Sequence, residues 1–356
     1  MALSCSSLCS HLSLIRLFGF RTNIINKGLY SPYKSCQSRH YSSSKVRRGV
    51  GRYVASKLQK ANSKYEAFLK RRFPRFYQLY HTFVEGFKLL YQDAKTVYTI
   101  KSKMASAGVE LKDLPYREME MLRQFRRNMI KAVPLVLISI PPFANYLVFV
   151  LMYFFPRQLL IPHFWTPGQQ VEFQRVYHSL RAQHHQPVLQ GLEKSSQQVK
   201  DRQLQGRLKD LCAKIQNGVN PKATEILAVR GLFSGPPLGM KRMSTYQMRH
   251  ISPLLFLTPR LPGFFMGWRL KSHALELLQL DRALCRLGPH QLSEAELRQA
   301  CYVRGLNSGT LDVNQCREWL SQWLDVSASL KESEVSLLLH SLVLLSANYP
   351  KGPRRH

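Results

Sequence analysis

The side chains whose chemistry stands out in this chain are arginines and histidines, and none sits in a catalytic spacing. No Gly precedes a Lys, no His precedes a Glu, and neither G-x-S-x-G nor G-x-G-x-x-G occurs. The motifs of phosphate loops, zincins, serine hydrolases and dinucleotide folds are therefore missing. No D-x-D-x-D-G loop offers calcium an oxygen cage. His184 and His185 are adjacent. On a helix neighbouring side chains diverge by about 100°, which suits a metal poorly and a solvated helix end well. Cys212, Cys285, Cys301 and Cys316 form no C-x-x-C, and three of them fall on apolar-periodic positions, so they read as small buried hydrophobes. We assign no catalytic residue, cofactor or metal ligand. What remains is anion chemistry: Arg298, Arg304 and Arg317 fall on two arms of a helical hairpin. On one exposed rim they would bind phosphate through charge and bidentate geometry; the alternative is a core hairpin with solvated arginines.

The hairpin that positions them is legible residue by residue. Ser293-x-x-Glu296 is a capping-box start, and Leu297, Ala300 and Cys301 give the first arm an apolar face. Gly305 supplies a break where positive φ is cheap, and Leu311, Cys316, Trp319, Leu320, Trp323 and Leu324 form the returning face. Periodicity predicts helices over 167–183, 187–196, 201–217, 222–233, 243–251, 267–287, 294–304, 313–325 and 330–346. Thr166 is the expected N-cap of the first, with Pro167 at its opening position, and Ser329-x-x-Glu332 is the expected start of the last. No alternating apolar run is long enough for a sheet, so the expected class is all-α.

Between Ala132 and Pro156 the chain carries no charged side chain, in a protein of formal net charge +31. That length suffices to span a hydrocarbon core of about 30 Å, which takes about 20 helical residues. Pro141 and Pro142 interrupt the run near its centre, and Phe143, Asn145 and Tyr146 follow. Two readings stand: one kinked transmembrane span, or a re-entrant hairpin with both ends on one side. Asn145 would face an ion path or make an interhelical hydrogen bond.

From Met1 to Tyr65 there is no Asp or Glu, while arginines and lysines are spread among Ser, Leu and Ile. This is the composition of a mitochondrial presequence. Arg39, Tyr41 and Ser42 resemble a matrix-peptidase site, with cleavage after Tyr41. The expected organisation is a presequence over 1–41, a basic arm and amphipathic aromatic helices over 42–131, the membrane segment over 132–156, and a helical domain over 157–356. The aromatic helix, from about Phe73 to Tyr98, either packs on the protein or lies at headgroup depth on the bilayer. Both flanks of the run are net basic, which favours anionic partners, lipid headgroups or nucleic acid.

The segment IPPFANYLVFVLMYFFPRQLL with the following FWTP, and the run LSEAELRQACYVRGLNSGTLDVNQCREWLSQWLDV, resemble the LETM-domain family of mitochondrial leucine zipper and EF-hand containing transmembrane proteins. The resemblance extends over about Leu111 to Tyr349 and is strongest to short members lacking the EF-hand and zipper. It implies a mitochondrial inner-membrane location (the outer membrane being the alternative) and a matrix-facing domain similar to a ribosome-binding fold. The implied partners are anionic membrane lipid, the mitochondrial ribosome or newly made membrane proteins, and possible homo-oligomers. The implied role is non-enzymatic support of mitochondrial structure and respiratory-chain biogenesis. A cation or proton transporter, or a subunit of one, is the second reading. The third is nucleic-acid regulation through the C-terminal hairpin, which resembles a SAP module. Topology presents a conflict. Six Lys/Arg lie within about twenty residues before the run and two after it, so the positive-inside bias puts the N-terminal flank in the matrix. A single span would then put the domain outside.

Overall fold

Burial of helical faces accounts for the architecture of this computed structural model, which describes residues 71, 74–139, 157 and 160–349. Among the described residues there are ten α-helices and no strand: α1 (Pro74–Ala107), α2 (Tyr116–Ser139), α3 (Pro167–Ser196), α4 (Arg202–Gln216), α5 (Ala223–Ala228), α6 (Thr245–Ile251), α7 (Gly263–Leu287), α8 (Glu294–Val303), α9 (Val313–Ala328) and α10 (Val335–Leu344). The expected helical class is observed. No helix among the described residues is long and apolar enough to cross a membrane. Pro141, Pro142, Phe143, Asn145 and Tyr146 lie outside the described residues, as do Arg39, Tyr41, Ser42 and the presequence and arm around them.

Local signals set most helix boundaries. Thr166 Oγ1 accepts from the Gln169 amide at 3.3 Å and Gln169 Oε1 accepts from the Thr166 amide at 3.0 Å, closing a capping box at α3. Ser293 and Glu296 do the same at α8. Several boundaries differ from expectation: the helix expected at 222–233 is α5 followed by a separate 3-10 turn at Arg230–Phe233, and the one expected at 267–287 begins at Gly263. The helices expected at 167–183 and 187–196 are one helix, α3, with Pro187 in its interior. A proline there forfeits one backbone hydrogen bond. Burial of Val188, Leu189 and Leu192 against the main core outweighs that loss. His184 and His185 therefore sit within α3 rather than at a solvated helix end. The last turn-and-helix unit begins at Lys331, whose amide donates to Glu334 Oε2 at 3.0 Å, and not at Ser329. Ser329 instead closes α9, its hydroxyl donating to the Asp325 carbonyl at 3.1 Å.

The core is built around α7, α9 and α10. Every residue of α10 is buried, as its VSLLLHSLVL sequence, apolar all round, requires. Trp319 and Trp323 of α9 stack at 5.6 Å between centroids, and the Trp319 indole N–H donates to the Leu345 carbonyl at 2.8 Å. Cys212, Cys301 and Cys316 are buried and Cys285 is exposed. Helix α2 and the residues just before it join this core through Leu114, Tyr116 and Met119. Helix α1 packs through a narrow stripe that includes Val97 and Ile100, leaving Tyr91 and Tyr98 exposed. Gly86 permits its contact with the turn Pro162–Phe164, since a Cβ there would lie 2.4 Å from the Phe164 ring. A second cluster forms beside the main core from Leu160, Ile161, Phe164, Trp165 and Phe173, with Leu90, Ala132 and Tyr177 packed on it.

Candidate functional site

The C-terminal hairpin has the expected outline, with Gly305 at φ +103° between α8 and α9. Its arginines do not form an exposed row. Arg304 is 0% exposed: its Nε donates to Asp281 Oδ1 at 2.7 Å and its Nη1 to the Ala300 carbonyl at 2.8 Å. Asp281, also 0% exposed on α7, accepts the Trp323 indole N–H at 2.9 Å through its other oxygen. Burial opposes the charge on Arg304, yet the carboxylate beside it raises the guanidinium above its ordinary range. Burial likewise holds the Asp281 carboxyl above its ordinary range against the pull of Arg304 and Trp323. Arg298 pairs with Glu294 at 2.9 Å and donates to the Ser308 and Leu311 carbonyls, fastening the turn between the two arms. Arg317 is half-buried. The phosphate-binding rim expected of Arg298, Arg304 and Arg317 is corrected to a structural role for the first two, because a buried carboxylate and the turn carbonyls already take their donors.

A second group of charges lies where α2 packs on α7 and Arg181 of α3 comes beside them. Arg123 and Glu120 of α2 form a buried bidentate pair at 2.8 and 2.6 Å, with the Gln124 amide donating to the same carboxylate at 2.8 Å. Arg126 pairs with Glu276 of α7. Among the described residues Arg181 of α3 pairs with no carboxylate: Nε donates to the Leu254 carbonyl at 2.8 Å and Nη1 to the Tyr302 carbonyl at 2.7 Å. Its guanidinium lies over the Phe256 and Tyr302 rings at 4.1 and 4.9 Å. Arg127 donates to the Leu255 carbonyl at 2.7 Å. The Leu254 and Leu255 carbonyls end the turn Ser252–Leu255, where Phe256 takes φ +58° and the chain leaves the helical path. Arginines from two other helices thus satisfy carbonyls at the negative end of a helical segment. Burial, followed by neighbouring cations, lowers Arg127 to about 10 and Arg181 to about 10.

Arg123, Arg127, Arg181, His273 and Glu276 line a cavity of about 20 Å³, room for about one water molecule. The arrangement positions helices and leaves no space for a substrate. Among the described residues no group of three His, Cys, Asp or Glu could hold a metal ion. His184 Nδ1 lies 3.1 Å from His250 Nδ1, a histidine pair between α3 and α6. Sequence reasoning missed Arg123, Arg127 and Arg181. One signal was available: Asp281 stands alone on the apolar face of α7 among Leu277, Leu278, Leu280 and Leu284, a position that demands a buried cation nearby.

Fold and site together define a basic helical domain clamped by buried arginines to the helix that leads into an uncharged run. Residues 114–344 match the model of the family described as LETM1-like, RBD, and the chain belongs to that family. It is 49% identical over 347 residues to LETM1 domain-containing protein 1 of Xenopus tropicalis, covering 98% of both chains. It is 50% identical over 303 residues to the Homo sapiens protein of the same name, covering 85% of this chain and 84% of that one. A more distant relative is the mitochondrial proton/calcium exchanger protein of Drosophila melanogaster, 26% identical over 270 residues, 74% of this chain and 26% of that longer one. The family is a mitochondrial one, and the match assigns no catalytic residue.

Proposed function

We propose that this protein is a non-enzymatic adaptor of the mitochondrial inner membrane, held there by the run at 132–156. Its basic domain faces the matrix and meets mitochondrial ribosomes or the membrane proteins they make. The family's description as an RBD, a ribosome-binding domain, supports the partner. The net positive charge of the segment after the run supports a phosphate-rich surface as its target. The reading predicts co-sedimentation with ribosomes from detergent-solubilised mitochondria that falls steeply as salt rises from about 50 to about 200 mM, because phosphate contacts release counterions. No co-sedimentation at the low-salt end would refute the ribosome contact. The transporter reading has the name of the Drosophila relative as its support.

One observation carries the membrane arrangement. Ala132, the first residue of the run, packs against Leu160, Ile161, Phe164, Trp165 and Phe173, which follow it. Tyr177 of the same cluster donates from its hydroxyl to the Arg157 carbonyl at 3.2 Å. Both flanks are therefore fastened to one place on the domain, whereas a straight span would separate them by about 30 Å. This supports the re-entrant hairpin turned at Pro141 and Pro142 over the kinked single span. It also relieves the topological conflict, since the six cations before the run and the domain after it then share the matrix side. Tags at the two ends should both be protected from protease in mitoplasts. Changing Pro141 and Pro142 to leucine should expose one of them. Tags on opposite sides in the unaltered protein would restore the single span.

A further inference from the structure

We propose that the opening turns of α7 form a second contact with an anionic bilayer surface, at the level where α2 continues into the uncharged run. The inference rests on the reading that this run enters the bilayer. Phe264, Phe265 and Trp268 are 81%, 53% and 65% exposed, and Phe264 and Phe265 touch each other edge to face at 5.6 Å between centroids. Three neighbouring aromatics on one outward face form a patch that water disfavours. They are not a loose end. Met266 and Leu270 on the opposite face are fully buried, and the same turns are seated on α6, with Gly263 beside Thr245 and Gly267 beside Met248.

Register places this patch at the membrane. Helices α2 and α7 run antiparallel: Arg286 near the end of α7 donates to the Lys112 carbonyl just before α2 at 2.8 Å, and Glu276 pairs with Arg126 further along. Measured from that ion pair at about 1.5 Å per residue, Ala132 lies about 9 Å along α2, Trp268 about 12 Å along α7 and Phe264 about 18 Å, all in the same direction. The aromatics thus extend from about 3 to about 9 Å beyond the first residue of the run, the depth at which interfacial helices bury their apolar faces, about 5–10 Å. Charge agrees with depth. From residue 226 to 275 the chain has no Asp or Glu and seven Lys or Arg, of which Arg230, Lys241, Arg242, Arg249, Arg260 and Lys271 are exposed. Exposed aromatics in a stretch of chain that carries exposed cations and no acid have the composition of a surface that lies on acidic headgroups. Stacked RNA bases would also suit aromatics and cations, but nothing in RNA binding calls for their register with the uncharged run.

Tryptophan emission tests the contact in the full chain. Of the four tryptophans, Trp165, Trp319 and Trp323 are buried and Trp268 is exposed. The protein is reconstituted into vesicles of anionic phospholipid carrying brominated acyl chains. The expected result is a quenched component that is lost in W268F and shrinks when the anionic lipid is replaced by a zwitterionic one. Equal quenching in the two proteins, or none in either, overturns the contact. So does emission that ignores brominated lipid and shifts on addition of mitochondrial ribosomes. Alkaline carbonate extraction separates the two claims: a protein retained in the pellet but unquenched refutes the α7 contact alone, whereas release into the supernatant refutes insertion of the run as well. Circular dichroism of W268F, matching that of the unaltered protein, ties lost quenching to the missing indole.

Discussion

Asp281→Ala lowers the stability of the domain by about 3–5 kcal/mol, the usual cost of leaving one member of a buried ion pair uncompensated. The residue has no solvent to fall back on: Asp281 and Arg304 are both 0% exposed, and one carboxylate holds Arg304 and Trp323 together. Removing it strands a guanidinium and an indole N–H at the meeting point of α7, α8 and α9. The double change Asp281→Ala with Arg304→Met recovers much of the loss, because it removes the buried charge together with its partner. Urea unfolding in mild detergent, followed by the stacked Trp319 and Trp323, reads both variants. A single change costing under about 1 kcal/mol, the value of a surface pair, would show that the interior accommodates the free charge.

Acid should unfold this protein well above the pH that protonates its carboxylates. Burial lowers His178 to about 3, helped by Arg181 and His185. It lowers His273 to about 4, helped by Arg127, Arg126, Arg269 and Arg123. It lowers His340 to about 4, partly offset by the bond to the Ser336 carbonyl. All three are neutral in the fold and take up protons near pH 6.5 once unfolded. The sign follows: the stability they contribute is present in full above about 6.5 and is lost as pH falls through the folded values. Each contributes a slope of about 1.4 kcal/mol per pH unit, so together they approach about 4 kcal/mol per unit between about pH 6 and 4. His184 and His250 act in the same direction: burial lowers both, and at His184 the charge of His250, whose ring nitrogen lies 3.1 Å away, adds to the effect. His273→Gln should make the slope shallower by about 1.4 kcal/mol per unit. An unchanged slope would mean that His273 is charged in the folded protein.

What could be read from the sequence was local. Thr166 and Ser293 announce their helices because a cap involves residues three apart, and the apolar period of α9 locates Trp319 and Trp323 without reference to anything distant. Pro187 is misleading for the same reason. Its cost is local and visible, while the burial of Val188 and Leu192 that overrides it depends on helices elsewhere in the chain. Arg304 is the sharpest case. Its spacing from Arg298 and Arg317 suggests a shared rim, but its partner, Asp281, lies on another helix, and no pattern in the hairpin specifies that pairing. The arginines beneath α2 were hidden likewise, because Arg127 and Arg181 answer backbone carbonyls, which every sequence has.

The cluster that joins Ala132 to Leu160 and Phe164 also fixes an order of events in time. Leu114, Tyr116 and Met119 belong to one core with α7 and α10, although the uncharged run stands between them in the chain. A newly delivered polypeptide presents α2 first, with those side chains still in water, and the fold has nothing to close upon until the residues after 160 arrive. On the reading that the run enters the bilayer, lodging it and completing the domain are then one step of biogenesis. A chain stalled before that step leaves an apolar helix face open to chaperones and proteases.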